Sequence, residues 1–227
     1  GILKKEFGVS DINKVNEDIV SGKVGIEFGA NWNCYWPFPD LVKKNIDAVF
    51  KPYAVPSADG KETKLQAYWP VSTYYVTGKN CKNPEALIKL ANLFVKKVFN
   101  GTNEDNLKFN KDESQREVYK FAPVIIADPV SDYTRHVNIS AAIKAQDPSK
   151  LDTNEKALYD AAIKWVTDKD PDAYGTYYQM GPEGSYSVLK EFVDQNRIML
   201  TEVRGADTPA LAEKKAILQK LEMDTFT

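Results

Sequence analysis

Apolar positions along the chain follow two spacings. In residues 10–21, SDINKVNEDIVS, Ile12, Val15, Ile19 and Val20 recur at the interval of one helix face, with Ser10 as the start, Asp11 in the first turn and Gly22 as the stop. Residues 23–29, KVGIEFG, then alternate: Val24, Ile26 and Phe28 against Lys23, Gly25 and Glu27, the period of a half-buried strand. Residues 31–39 read as a turn-rich aromatic segment, DLVKKN as a short helix with Asp40 near its start, AVFKPYAVP as a second strand, and SADGKE as a polar turn. Thr63–Val76 is β-rich and interrupted by Pro70, which demotes it to a bend or an edge. NPEALIKLANLFVKKVFN is the clearest helix, capped by Asn83, with Pro84 in its first turn and a stripe of Leu87, Leu90, Ala91, Phe94, Val95 and Val98. Residues 101–116 read as a polar excursion and YKFAPVIIADPV as an extended return. Four helical segments follow: VNISAAIKAQ, DTNEKALYDAAIKWVTD, SYSVLKEFVDQN and DTPALAEKKAILQKLEMDTF, the last with Thr208 and Pro209 at its start. Strands interleaved with helices, then helices alone, predict an α/β chain with a mainly helical C-terminal portion.

Charge and composition narrow the function classes. The 30 basic and 32 acidic side chains are interspersed, so there is no basic footprint for a nucleic-acid partner. No apolar run approaches the roughly 20 residues that span a bilayer. The opening GILKKEFGVSDINK has no apolar leader, and the expectation is a segment of a longer protein. His136 is the only histidine, which removes most zinc sites and the Ser–His and Cys–His dyads. Cys34 and Cys81 form no metal or redox motif, and the sequence leaves a disulfide between them open without supporting one. Neither cofactor nor metal is expected.

Motifs for catalysis are missing. There is no nucleophile elbow, phosphate loop, dinucleotide fingerprint or His-Glu-x-x-His. GPEGS at 181–185 lacks the length and lysine of a phosphate loop and reads as a tight turn before the helix near Ser185. Asp128 and Asp132 could be imagined as a glycosidase pair, but Asp128 before Pro129 more simply starts a turn. Arg135 and His136 read either as a solvated loop or as polar contacts to a ligand. What stands out is aromatic density before residue 80: Trp32, Tyr35, Trp36, Phe38, Tyr53, Tyr68, Trp69, Tyr74 and Tyr75, many beside Pro, Gly, Asn or Ser. Aromatic faces stack on the C–H face of a pyranose while Asn, Gln and Ser pair with its hydroxyls, and Asn31-Trp32-Asn33 has that mix. Large aromatics are also ordinary core residues, each worth roughly 1.5–3 kcal/mol when buried.

Three motifs in order resemble a known family. GKVGIEFGANWNCYWPFPDL (Gly22–Leu41), PSADGK (Pro56–Lys61) and CKNPEAL (Cys81–Leu87), with a Gly-x-x-Thr-Pro element at Gly205–Pro209, look like the later half of the extracellular solute-binding proteins of ABC importers. The branch is the one that includes maltose-binding protein, and its Gram-positive lipoprotein-type members are most similar. The resemblance covers nearly the whole chain. It implies a periplasmic-binding-protein type II-like two-lobe α/β fold, here a partial chain, with residues 1–63 in one lobe, 64–120 a crossing strand and part of the other, and 121–227 a return crossing and a mainly helical portion. It implies binding of a carbohydrate in an interlobe cleft, no chemistry on it, and delivery to the membrane permease subunits. The expected location is the cell surface, through a lipid anchor outside this chain. Trp32 takes the position of the tryptophan that stacks on sugar; Asn33, Tyr35, Trp36, Tyr68, Trp69, Tyr74 and Arg135 complete the expected ligand contacts. The rival readings are a carbohydrate-active enzyme and a binder of a peptide or other non-sugar solute.

Overall fold

The computed structural model describes residues 4–5, 7–68, 71, 73–110, 118–128, 130–202 and 205–226. In chain order the elements are α1 (Ile12–Val20), α2 (Phe38–Lys44), β1 (Leu65–Ala67), α3 (Glu85–Phe94), the single turn α4 (Asn103–Asp105), α5 (Ser131–Ala145), α6 (Thr153–Thr167), α7 (Tyr174–Met180), α8 (Ser185–Asp194), β2 (Ile198–Leu200) and α9 (Pro209–Phe226). The chain divides into two compact units. One comprises Gly1–Tyr68 with Asp160–Thr227, the other Trp69–Tyr159.

The helices begin where local chemistry satisfies their free N–H groups. Asp11 Oδ1 accepts from Asn13 N at 2.8 Å and Lys14 N at 3.0 Å, so Asp11 caps α1 and the helix starts one residue later than Ser10 would set it. Asp152 and Glu155 cap α6 reciprocally: Glu155 N donates to Asp152 Oδ1 at 2.8 Å, and Asp152 N to Glu155 Oε2 at 3.1 Å. Thr208 Oγ1 accepts from Leu211 N at 3.2 Å ahead of Pro209 in α9. Asn83 is not the cap of α3; Pro84 holds that position without a side-chain bond. Past Phe94 the backbone loosens into a wider turn over Val95–Phe99. Helix α7, in AYGTYYQMG, has no counterpart in the periodic pattern.

The strands differ most from expectation. Neither KVGIEFG nor AVFKPYAVP is a strand. Among the described residues, no backbone–backbone hydrogen bond reaches Val24–Gly29 or Lys51–Pro56, and an alternating segment becomes a strand only when another backbone pairs with it. Among the described residues of 63–76, only β1 is paired. It runs parallel to β2 in the register Leu65↔Ile198, Gln66↔Met199, Ala67↔Leu200. Arg197 anchors this pair. Its guanidinium donates to Thr63 O at 3.0 Å and Glu191 Oε1 at 2.8 Å, and lies 4.3 Å from the Phe192 ring centroid.

The core of the first unit joins Ile19 of α1, Phe38, Leu41 and Val42 of α2, Trp165 of α6, and Tyr174 and Tyr178 of α7, with Cys34 and Ala173. Trp165 meets Tyr174 edge-on at 5.2 Å, and Tyr174 and Tyr178 lie 4.5 Å apart. The Tyr174 hydroxyl donates to Phe50 O at 2.7 Å and accepts from Phe50 N at 3.0 Å, satisfying both polar groups of one residue in an unpaired stretch. Phe50 in turn stacks on Phe38 at 4.6 Å. In the second unit, His136, Ile139, Ser140 and Ala142 of α5 are buried, and Asn138 Nδ2 donates to Glu155 Oε1 at 2.6 Å. There the Tyr75 hydroxyl clamps Ile125 in the same double way, at 3.1 and 2.8 Å. The described side chains of α9 are all exposed. No helix among the described residues is long and apolar enough to cross a membrane.

Candidate functional site

The first unit contains a groove of about 1860 Å³. Its walls are the two stretches without ladder bonds, Val24–Ala30 and Ala48–Pro56, together with Thr63–Leu65, Tyr68, Tyr178 and the inner face of α8 at Ser185, Val188, Leu189 and Phe192. Because neither stretch is stitched into a sheet, its alternate side chains are not covered: Phe28 is 71% exposed and Tyr53 80%; Tyr68, just past β1, is 82% exposed. The lining is mainly apolar. Lys44, Lys51, Lys64 and Glu27 are its charged members, and Lys51 is paired with Glu183 at 3.0 Å.

A polar cluster sits in this apolar setting. Asn33 Nδ2 donates to Glu27 Oε1 at 3.0 Å. The approach depends on Gly29: a Cβ there would lie 2.0 Å from Asn33 Nδ2. Ser185 Oγ donates to Asn31 O at 2.6 Å, tying the loop to the first turn of α8. Asn33 then opens a short helical turn to Tyr35 in which Cys34 is buried, its Sγ at 3.5 Å from Asn31 O. Burial pushes the Glu27 carboxyl above the usual glutamate range, partly offset by the Asn33 amide. Burial pushes the Cys34 thiol up to about 12, so it is no nucleophile.

Of the residues expected at a ligand site, Asn33 and Tyr68 line this groove. Tyr35 and Trp36 line a smaller recess of about 230 Å³ with Pro39, Asp40, Lys43, Asp172 and Gly175, where Lys43 and Asp172 pair at 2.6 Å. Trp32, expected to stack on the sugar, lies between the groove residues Asn31 and Asn33 in sequence but lines neither cavity, and is 58% exposed. Tyr74 is exposed and Arg135 pairs with Asp132 at 3.0 Å; both belong to the second unit. Trp69 lies outside the described residues. Asp128 is engaged in a turn, its Oδ1 accepting from Val130 N at 3.0 Å. Among the described residues no group of three or more His, Cys, Asp or Glu side chains could hold a metal.

Sequence reasoning missed Glu27, Phe28, Tyr53, Tyr178 and Ser185 as groove residues. Alternation put Glu27 on a solvent face and Phe28 on a core face. Tyr178 and Ser185 lie about 150 positions from the loop they meet, a proximity that no local pattern carries. Comparison of the chain with protein-family models, with curated proteins and with solved structures finds no match.

Proposed function

We propose that the chain is part of a solute-binding subunit of an ABC importer, with the two-lobe fold of that family, and that it binds a carbohydrate without chemical change and presents it to the permease. The reading rests on the three ordered motifs and on one structural observation: Phe28, Tyr53 and Tyr68 line a groove yet keep most of their surface in solvent. Exposed aromatic faces beside a few fixed polar groups suit the alternating C–H and hydroxyl surface of a sugar. The groove exceeds the roughly 300–1,000 Å³ of a small-molecule pocket, which favours an oligosaccharide over a single ring. Binding is favoured over hydrolysis because Glu27 is the sole acid among the described residues lining the groove, and glycosidases of the usual kind need two facing carboxyls.

A second reading has its own support. The N–H and C=O groups of Val24–Gly29 and Lys51–Pro56 that make no backbone bond could receive the main chain of a peptide. Thermal shift and calorimetric titration against neutral trisaccharides (maltotriose, cellotriose, xylotriose, mannotriose) and against tri- to pentapeptides separate the two. A binder gains stability with ligand concentration, about 2.7 kcal/mol at a hundredfold excess over Kd. Stabilisation by peptides alone replaces the carbohydrate reading with the second. Stabilisation by neither set removes both.

A further inference from the structure

We propose that Glu27 and Asn33 form a hydroxyl-recognition pair that selects a neutral sugar presenting a vicinal diol. This deepens the carbohydrate reading above and rests on it. The contact between the two side chains uses one amide hydrogen of Asn33 and one oxygen of Glu27. Glu27 Oε2 and Asn33 Oδ1 have no partner among the described residues. Both residues line the groove, and, one hydrogen bond apart, they offer two open acceptors, one of them carrying charge. Acceptors side by side call for donors side by side, which neighbouring hydroxyls on a pyranose supply. Phe28 adjoins Glu27 in the chain and, with Tyr53 and Tyr68, supplies apolar lining for the ring itself.

Gly29 leaves room for the pair. A Cβ at 29 would lie on the Asn33 amide and force that side chain out of its contact with Glu27. Burial disfavours the ionised form of Glu27 and the Asn33 amide offsets only part of that; perturbed groups of this kind gather at functional sites. The same charge discriminates between solutes. A uronate would bring a second carboxylate to Glu27, and like charges repel in a partly desolvated groove.

Calorimetric titration of the wild type, Glu27→Gln and Asn33→Ala tests the pair, using the four neutral trisaccharides and trigalacturonate. Glu27→Gln keeps the shape and an oxygen for Asn33 but replaces the second acceptor by a donor. For the wild type the expected result is binding of at least one neutral trisaccharide, and weaker binding of trigalacturonate. For Glu27→Gln it is an affinity lower by about 10-fold or more, the scale of a hydrogen bond to a charged group. Asn33→Ala loses less. The ligand-free melting temperature of Glu27→Gln stays at or above that of the wild type, which separates lost recognition from lost folding. Wild-type affinity in both variants, or a preference for trigalacturonate, overturns the pair and leaves the carbohydrate reading standing. Failure of every trisaccharide to bind the wild type overturns both.

Discussion

Replacing Tyr174 by Phe removes one oxygen and leaves the ring in place. The ring is fully buried and packs against Trp165 at 5.2 Å and Tyr178 at 4.5 Å, contacts that Phe retains. What is lost is the double contact to Phe50, one bond donated at 2.7 Å and one accepted at 3.0 Å. Each neutral hydrogen bond contributes about 0.5–1.5 kcal/mol net, so the pair contributes about 1–3 kcal/mol. Phe50 is half-buried, so water restores part of the loss, and the expected destabilisation is about 2 kcal/mol. For a chain of this size that is a fall in Tm of about 4–8 °C. Urea unfolding followed by circular dichroism measures the global change. Amide hydrogen exchange measures the local one, because the Phe50 N–H is held by this hydroxyl and the stretch that it belongs to has few other restraints. Phe50 and its neighbours are expected to exchange faster by a larger factor than the amides of α6. A loss below about 0.5 kcal/mol, with Phe50 exchange unchanged, would refute the clamp.

Gly175→Ala should cost about 1–3 kcal/mol in urea unfolding, because its Cβ would meet Tyr35 Cα at 3.0 Å and Cys34 O at 3.1 Å, backbone that cannot swing aside. A thiol reagent such as Ellman's should titrate one cysteine per native chain, exposed Cys81, and two in denaturant; Cys34 is buried with its thiol pushed up to about 12, and rapid labelling of both native thiols would contradict its burial. Glu27 gives a pH signature whose sign is opposite to that of a salt-bridged acid. Its folded-state pKa is raised, so the stability associated with its protonated form is complete below the ordinary glutamate range and is lost as pH rises through the raised value. The stability difference between Glu27→Gln and the wild type should therefore be smallest in acid, grow in favour of the variant across that window and level off above it; a difference that is flat with pH would show that the carboxylate is not desolvated.

How much was legible in the sequence follows from the range of the interactions involved. Helices α1, α3, α6, α8 and α9 could be read because their hydrogen bonds and caps join residues a few positions apart: Asp11 to Asn13, Asp152 to Glu155, Thr208 to Leu211. The turn at Asp128 was legible for the same reason. Strand identity was not, because pairing is a property of two segments. The alternation of KVGIEFG and AVFKPYAVP is present, yet neither is laddered, while β1 found its partner in Ile198–Leu200, more than 130 residues away. The groove shared that fate. Asn33 and Tyr68 were expected at a ligand site from their residue types, but that Glu27 turns back to Asn33 across Gly29, and that α8 closes the wall through Ser185, were decided by tertiary contacts. Composition and local pattern determined which side chains were available and where helices start. Only the folded chain decided which of them share a surface, because burial and pairing depend on neighbours distant in the sequence.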